Sequence, residues 1–233
     1  MSEKQTTNPA VIENMFKVGA HFAFARSRRH PTVLPFIFGA KNKVEIFDLE
    51  KTEQLLEKAK AFVRGLAKDG KAILFVGGKP EARAAIRKAG ISLAMPFVDG
   101  RWIGGSLTNF PEVRKRVEKL ERLTLEREKG ELAKYTKKER LLIDREISNL
   151  DIMFSGLIPM KDMPKALFVI DPKKEAIAVK EAQDKGIPVI ALLGSDCDFT
   201  GVEVPIVGND ASRASIEFFV NEIVRAYSEG KKA

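Results

Sequence analysis

One glycine-containing turn has the residues from which α/β proteins build phosphate-binding sites. It lies in "FVGGKPEARAAIRKAG", where an apolar run ends at Gly77, Gly78 and Lys79 and a helical pattern with Arg83 follows. Backbone N–H groups at such a helix start can hold an anion. The spacing matches neither the Walker motif nor the dinucleotide fingerprint. We therefore favour a tight strand–helix connection, with Lys79 and Arg83 as contacts for a nucleic-acid phosphate, over a mononucleotide site.

A second turn, "DGRWIGGSLTNF" at residues 99–110, contains the only tryptophan of the chain. It leads into a long helical pattern, so its polar residues are candidate helix caps and Pro111 suits the first turn. The candidate caps are Ser106, Thr108 and Asn109. We predict a structural hinge rather than a phosphate loop, with Trp102 as its packing anchor and Arg101 as an RNA contact. The predicted hinge residues are Trp102, Gly104 and Gly105.

Residues 17–43 contain six Lys or Arg, four Phe and both histidines of the chain, without any Asp or Glu. Basic residues that are interleaved with aromatics and have no nearby counter-charge are typical of a surface that contacts a nucleic-acid backbone. The alternative is a solvated loop, and we expect the phenylalanines to pack into the core. The candidate RNA-binding residues of this segment are Arg26, Arg28, Arg29, Lys41 and Lys43.

Metal or catalytic chemistry receives little support from the remaining residue types. His21 and His30 have arginines and phenylalanines as neighbours, so neither a metal site nor a catalytic pair is favoured. Cys197 is the only cysteine, which excludes a disulfide within the chain. Asp196 and Asp198 follow an apolar strand pattern, and we favour turn formation over Mg²⁺ binding, which stays open. We predict no catalytic residue, no cofactor and no metal.

Residues 110–154 are charged and helical in pattern, without a strand signal. Two apolar stripes lie on either side of a turn near residues 130–136, which predicts an antiparallel helical hairpin. The stripes are Val113, Val117, Leu120 and Thr124, then Ile143, Ile147, Leu150 and Phe154. Twelve Lys or Arg and nine Asp or Glu between residues 110 and 150 make most of the hairpin a mixed-charge surface. Its candidate RNA-binding residues are Arg114, Lys115, Arg116, Lys119, Lys137 and Lys138.

The elements that position these residues alternate between strands and helices. "AILFVGG", "PEARAAIRKAG" and "MPFVDG" precede the hairpin, and "ALFVID", "KEAIAVKEAQDKG", "IPVIALLG" and "DASRASIEFFVNEIVRAYSEG" follow it. This order predicts a parallel sheet with helices on both faces. A helix with Asn8 as N-cap and a β-hairpin around residues 39–42 come first. We place a discontinuous α/β domain at residues 1–105 and 156–233 and an inserted helical coiled-coil arm at 106–155.

Composition limits the class of partner. The chain has 233 residues, 40 Lys and Arg against 32 Asp and Glu, a net charge of +8 and a pI of about 9.5. A basic balance of this size favours a nucleic-acid partner. The beginning of the chain lacks the apolar run of a signal peptide or membrane span. We therefore expect a cytoplasmic protein without a membrane partner.

Several blocks in order resemble the bacterial ribosomal protein S2 family (the universal uS2 family), between about Val11 and Tyr227. The blocks are "GAHF", "PFIFGAKNKVEIFDLEKT", "ILFVGGK", "RWIGGSLTN", "YTKKER", "PKALFVIDPKKEAIAVKEAQDKGIPVIAL" and "VGNDASRA". The resemblance implies a flavodoxin-like α/β domain with an inserted coiled-coil hairpin. It also implies a non-enzymatic constituent of the small ribosomal subunit, required for translation, that binds small-subunit rRNA and neighbouring ribosomal proteins.

Some positions depart from the family pattern. Phe24 stands where members commonly have a second histidine, which removes a pairing that could support a metal. Arg28, Arg29 and His30 replace an aromatic stretch before Pro31. The residues by themselves leave one alternative function, an α/β enzyme or sensor that binds a nucleotide or sugar phosphate at the strand ends. The absence of a complete phosphate motif and of a catalytic set makes this the less favoured reading.

Overall fold

A helix and a small antiparallel sheet form the first part of the structure, a computed structural model that describes residues 8–232. Helix α1 begins after Asn8, whose side chain accepts the N–H of Ala10 as the sequence predicts. The elements are α1 (Pro9–Lys17), β1 (Phe22–Ala25), β2 (Ile37–Lys41) and β3 (Val44–Phe47), and the sheet order is β1-β3-β2. Residues 1–7 and 233, which the predicted domain boundaries include, lie outside the described residues.

The hairpin between β2 and β3 turns at a different place than the sequence predicts. The two turn residues are Asn42 and Lys43, with φ of 53° and 68°, rather than residues around 39–42. Positive φ at both central residues is the geometry whose twist suits a two-residue hairpin. Strand β1 was not predicted at all. It has four residues and pairs with β3, where Phe22 lies opposite Ile46.

Five parallel strands form the centre of the protein. The remaining elements are α2 (Leu49–Lys68), β4 (Ile73–Val76), α3 (Pro80–Leu93), β5 (Phe97–Val98), α4 (Phe110–Glu128), α5 (Lys137–Phe154), β6 (Ala166–Ile170), α6 (Ala176–Asp184), β7 (Val189–Leu193), β8 (Val204–Val207) and α7 (Arg213–Lys232). The strand order is β5-β4-β6-β7-β8. Counted from β4, this is the 2-1-3-4-5 order of flavodoxin-like folds. The predicted fold class is confirmed, and β8 is a strand that the sequence did not reveal.

Helices cover both faces of this sheet, as its uninterrupted apolar strands require. Every residue of β4, β6 and β7 is buried. On one face, side chains such as Phe75 and Phe168 pack against α2, α3 and α7. On the other, Leu74 and Leu167 belong to a second cluster with α6, α4 and α5. Among residues 8–232 no helix combines the length and the apolar character needed to cross a membrane.

Helices α4 and α5 form the predicted antiparallel hairpin. A short 3-10 helix, Glu131–Lys134, connects them, and Thr136 and Glu139 form a capping box at the start of α5. The α4 side of the seam differs at its end from the prediction, since Leu123 is buried and Thr124 is only half-buried. The base of the hairpin shares one apolar cluster with the sheet. The domain boundaries at 106 and 155 stay a prediction.

We expect the Phe168→Ala variant to lose about 3–5 kcal/mol of unfolding free energy. Phe168 is fully buried in the central strand β6, with its ring 5.6 Å from that of Phe75, so truncation leaves a cavity. Ile91→Ala, at a position that is 67% exposed on α3, is the control. Urea unfolding measures both, and equal losses in the two variants would contradict the burial assigned to β6.

Candidate nucleic-acid interface

The turn at residues 99–110 holds an anion, and that anion is a side chain of the protein itself. Glu181 of α6 accepts hydrogen bonds at Oε1 from the Gly105 N–H (2.7 Å) and the Trp102 indole N–H (3.1 Å). Its Oε2 accepts from the N–H groups of Leu107 (2.9 Å) and Thr108 (3.1 Å) and from the Thr108 hydroxyl (3.2 Å). The backbone groups that a phosphate would use are therefore already taken, which agrees with a structural turn.

Glu181 also replaces the helix caps that the sequence predicts. Asn109 occupies the N-cap position of α4 but makes no side-chain cap hydrogen bond, and the Ser106 hydroxyl donates to the Ile103 carbonyl. Pro111 lies in the first turn as expected. Burial alone raises the pKa of the Glu181 carboxyl, but the hydrogen bonds that it accepts outweigh burial and hold the pKa below its ordinary value.

Lys79 is held by two internal acids, which weakens its prediction as an RNA contact. Its Nζ is 2.5 Å from Asp171 Oδ2 and 2.7 Å from Asp210 Oδ2, and its side chain is 15% exposed. Asp171 follows β6 and Asp210 follows β8, at the carboxyl ends of the strands, where ligands of such folds bind. An internal ion triad thus occupies the ligand position of the fold.

Burial and ion pairing act in opposite directions on Lys79 and on Asp210. Burial lowers the pKa of Lys79, but the two carboxylates outweigh it and the pKa is raised. Burial raises the pKa of Asp210 to about 6, although Lys79 opposes the shift. The Cys197 Sγ lies near both carboxylates, and burial raises the pKa of its thiol to about 12. The Lys79 ammonium supplies the positive charge that pairs with both carboxylates.

The arginines of the basic segment are partly neutralised by acids that are distant in sequence. The Arg29 Nη1 is 2.6 Å from Oε1 of Glu45, which is 3% exposed, so Arg29 is engaged in a largely buried pair. The Arg28 Nη2 is 3.3 Å from Asp196 Oδ2. Arg28 also lies over the Phe24 ring, but its side chain is 58% exposed. A segment without acids in its own sequence can therefore still have its arginines paired with acids from elsewhere in the chain. Arg29 is the clearest case, because its partner Glu45 is buried.

Three cations of the segment, at one end of the small sheet, are exposed and form no ion pair with the described residues. Val44 of β3 lies opposite both Ala25 of β1 and Lys41 of β2. Arg26, which follows Ala25, and Lys43, which precedes Val44, are therefore at the same end of the sheet as Lys41. We call the exposed set the basic edge: Arg26, Lys41 and Lys43. None of the three has a carboxylate within ion-pair distance in the part of the chain that the structure describes.

The neighbouring aromatic side chains are less buried than predicted. Phe24 and Phe36 are half-buried, as expected of packed residues. Phe22 is 51% exposed and Phe38 is 80% exposed, so for these two the expectation of core packing was wrong. The small sheet has only one covered face, and both side chains lie at its uncovered surface. The basic edge is thus accompanied by exposed aromatics.

The histidines behave as the sequence predicts, and the two aspartates differ from each other. His21 is 8% exposed and stacks on Phe16, whereas half-buried His30 lies in a loop. Asp198 accepts the N–H of Thr200 in a tight turn, which confirms the favoured reading for this residue. Asp196 also lies in a turn, in which the Cys197 N–H donates to the Gly194 carbonyl, and its carboxylate forms ion pairs with Arg28 and with Lys173.

The six candidate cations of the helical hairpin fall into two groups. Three of them pair with acids of the hairpin itself: Arg114 with Glu118 and Glu121, Lys115 with Glu112, and Lys119 with Glu146. Lys115 and its acid are exposed, whereas Arg114, Lys119 and Glu146 are half-buried. Ion pairs that remain in contact with water contribute only about 0–1 kcal/mol, so a phosphate can compete for these cations. Arg116, Lys137 and Lys138 are exposed, without a carboxylate in ion-pair distance among the described residues.

Sequence reasoning missed two positions, Glu181, which holds the turn, and Lys174, which lines a cavity. Glu181 had a detectable signal, because it is an acid on the apolar face of α6 next to Ala178 and Ala182. Lys174 lies in a run of mixed charge and had no such signal. The structure places it on the same cavity as the predicted RNA contacts Arg83 and Arg101.

Comparison with known proteins agrees with this geometry. The profile of the family described as "Ribosomal protein S2" matches residues 15–230. The chain belongs to the ribosomal protein S2 family. It is 41% identical over 220 residues to "Small ribosomal subunit protein uS2" of Sulfurimonas denitrificans, covering 94% of this chain and 85% of the relative. The protein of the same name from Aliarcobacter butzleri is 40% identical over 222 residues, covering 95% and 84%.

Both the S2 family and its fold class were expected from the sequence, and both are confirmed. A third relative, "Small ribosomal subunit protein uS2" of Coprothermobacter proteolyticus, is 39% identical over 221 residues, covering 95% of this chain and 82% of the relative. The alternative of a nucleotide- or sugar-phosphate-binding enzyme or sensor is not favoured by these matches.

We expect Glu181→Gln to destabilise the protein by about 2–3 kcal/mol, since a side-chain amide would point one N–H₂ group at donors that need an acceptor. The pKa of Glu181 is lowered in the folded state, so the variant shows its full loss of stability above pH 4.5, the ordinary pKa of the group. It disappears as the pH falls through the folded-state value. Glu217→Gln, in an exposed pair with Lys88, is the control. Urea unfolding at pH 7 and pH 3 measures both, and a pH-independent loss would contradict the role of the charge.

We expect Lys79→Met to lose about 3–5 kcal/mol, because two buried carboxylates lose their shared cation. The Asp210 pKa is already raised to about 6, and it rises further without the ammonium. A raised carboxyl pKa favours the folded state at low pH, so the loss is smaller at pH 5 than at pH 8. Urea unfolding at both values checks this. Lys79→Met combined with Asp171→Asn and Asp210→Asn should regain stability at pH 8, and no recovery would argue against the triad.

Proposed function

We propose that the chain is a structural constituent of the small ribosomal subunit, needed for translation, that binds small-subunit rRNA and neighbouring ribosomal proteins. The observation that carries the proposal is the combination of family membership with exposed cations outside the fold's usual ligand position. As part of the ribosome, the protein would act in the cytoplasm. The Lys79 triad supports a role without catalysis, because it occupies the strand ends where an α/β enzyme would bind its substrate.

The basic edge is the RNA surface that we propose first. Arg26, Lys41 and Lys43 are exposed and have no described carboxylate in reach. A phosphate can pair with them without displacing an internal acid. Each Lys or Arg that neutralises a phosphate releases a counterion, which favours binding and makes it salt-dependent. Arg28 and the paired hairpin cations Arg114, Lys115 and Lys119 are second candidates, because a phosphate must compete there with an existing ion pair.

Exposed apolar side chains support contacts with neighbouring proteins. Phe16, Phe22 and Phe38 line a groove of about 630 Å³ beside the small sheet. On α5, Leu141 and Ile152 are 51% and 79% exposed. Exposed apolar side chains that line a groove are typical of sites that another protein covers.

Sucrose-gradient fractionation of a cell lysate tests the main proposal. At moderate salt the protein should sediment with the small ribosomal subunits. It should leave them at high salt, since its phosphate contacts are electrostatic. Sedimentation only in the low-mass fractions at every salt concentration would refute the assignment.

Charge reversal of the basic edge should prevent incorporation into small subunits. We expect Arg26→Glu, Lys41→Glu and Lys43→Glu together to abolish co-sedimentation, because three cations that face phosphates become anions. Arg29 is left unchanged, since an acid there would lie against buried Glu45.

The matched control reverses three exposed lysines of α2 and α7, Lys58, Lys68 and Lys231, with the same change in net charge. Circular dichroism establishes that both variants are folded. Incorporation of the basic-edge variant at the level of the control would place the RNA surface elsewhere.

A further inference from the structure

A cavity separate from the basic edge is surrounded by three cationic side chains. It has a volume of about 370 Å³ and lies where the loops after β4, β5 and β6 meet. Arg83 comes from α3, Arg101 from the loop after β5, and Lys174 from the loop after β6. These strands are neighbours in the sheet, in the order β5-β4-β6, and none of the residues of the Lys79 triad lines the cavity.

Three cations and one acid, Glu175, line this cavity, and the cations form no ion pair with described carboxylates. Arg83, Arg101 and Lys174 are all exposed and form no ion pair with a carboxylate of residues 8–232. Asp99, close in sequence to Arg101, is held by Arg87 at 2.6 Å. Glu175 is 6% exposed and accepts the N–H of Gly78 at 3.1 Å. The nearby acids therefore serve the structure, and the three cations remain available.

The floor of the cavity is tightly packed. At Gly78 a Cβ atom would lie 2.5 Å from the Gly100 carbonyl oxygen and 2.8 Å from Glu175 Oε1, so the loops after β4 and β5 touch directly. Trp102 lies in the same lining and is held by Glu181. The Arg83 Nε donates to the Gly78 carbonyl at 3.4 Å, which orients the guanidinium at the rim. The three cations thus surround a closely packed cavity floor.

We propose that this cavity binds a phosphate group of the small-subunit rRNA backbone, with Arg83, Arg101 and Lys174 as its ligands. The proposal rests on the proposed function and adds a site to it. Planar guanidinium groups match the paired oxygens of a phosphate, and a lysine ammonium adds a third donor. Ile177, which is 62% exposed at the edge of the cavity, offers an apolar contact for a ribose.

The single tryptophan gives the experiment a local reporter. Trp102 lines the cavity and is the only tryptophan of the chain. Purified protein is titrated with small-subunit rRNA transcribed in vitro, and the Trp102 fluorescence is followed together with the affinity at several salt concentrations. We expect rRNA to change the Trp102 emission.

In the variant with Arg83→Gln, Arg101→Gln and Lys174→Gln, the emission change should disappear. The slope of log affinity against log salt should fall by about one for the lost phosphate contact. The matched control replaces Arg26, Lys41 and Lys43 by Gln. It should bind more weakly but keep the full Trp102 change at saturation, because its cavity is intact. Urea unfolding establishes that both variants are as stable as the unaltered chain.

The outcomes separate this proposal from the proposed function. If the unaltered chain binds rRNA but the cavity variant retains both the emission change and the salt slope, the cavity proposal is wrong and the ribosomal function stands. If the unaltered chain neither binds rRNA nor sediments with small subunits, both proposals fail. If polyglutamate changes the emission and rRNA does not, an acidic protein segment binds here and the RNA proposal is overturned.

Discussion

The buried carboxylate of Glu181 connects the two halves of this chain. Five hydrogen-bond donors of the turn at residues 102–108 end on its two oxygens, and that turn leads directly into the helical hairpin. A charged acceptor is needed there because three backbone N–H groups and an indole N–H would otherwise be buried without partners. The sheet, α6 and the hairpin base can therefore share one apolar cluster around Trp102.

In the Lys79 triad a buried cation, rather than a buried anion, satisfies groups from distant parts of the chain. The carboxyl ends of parallel strands concentrate polar groups, and many proteins of this architecture fill that place with a ligand. Here a lysine ammonium lies between Asp171 and Asp210 and satisfies both. The cations without an internal partner lie at the surface, at the basic edge, along the hairpin and around the cavity lined by Arg83. Internal charges stabilise the body, and surface charges are left for partners.

Much of the fold could be predicted from local patterns. Uninterrupted apolar runs indicated the buried strands β4, β6 and β7, and the two apolar stripes indicated α4 and α5 with a turn between them. Strands β1 and β8 escaped because each has four residues and neither is fully buried. The turn at Asn42 and Lys43 escaped because a glycine three residues earlier gave a stronger local signal. Short elements at sheet edges depend on their partners more than on their own pattern.

The sequence by itself determined the family, the alternation of strands and helices, and the excess of positive charge. Only the tertiary structure decided which charges are free. Lys79 meets Asp210 across 131 positions of the chain, and Arg28 meets Asp196 across 168. Phe38 was expected in the core and is 80% exposed. The physical reason is that periodicity reports burial within one element, whereas ion pairing and the covering of a face depend on elements that folding brings together from distant parts of the chain.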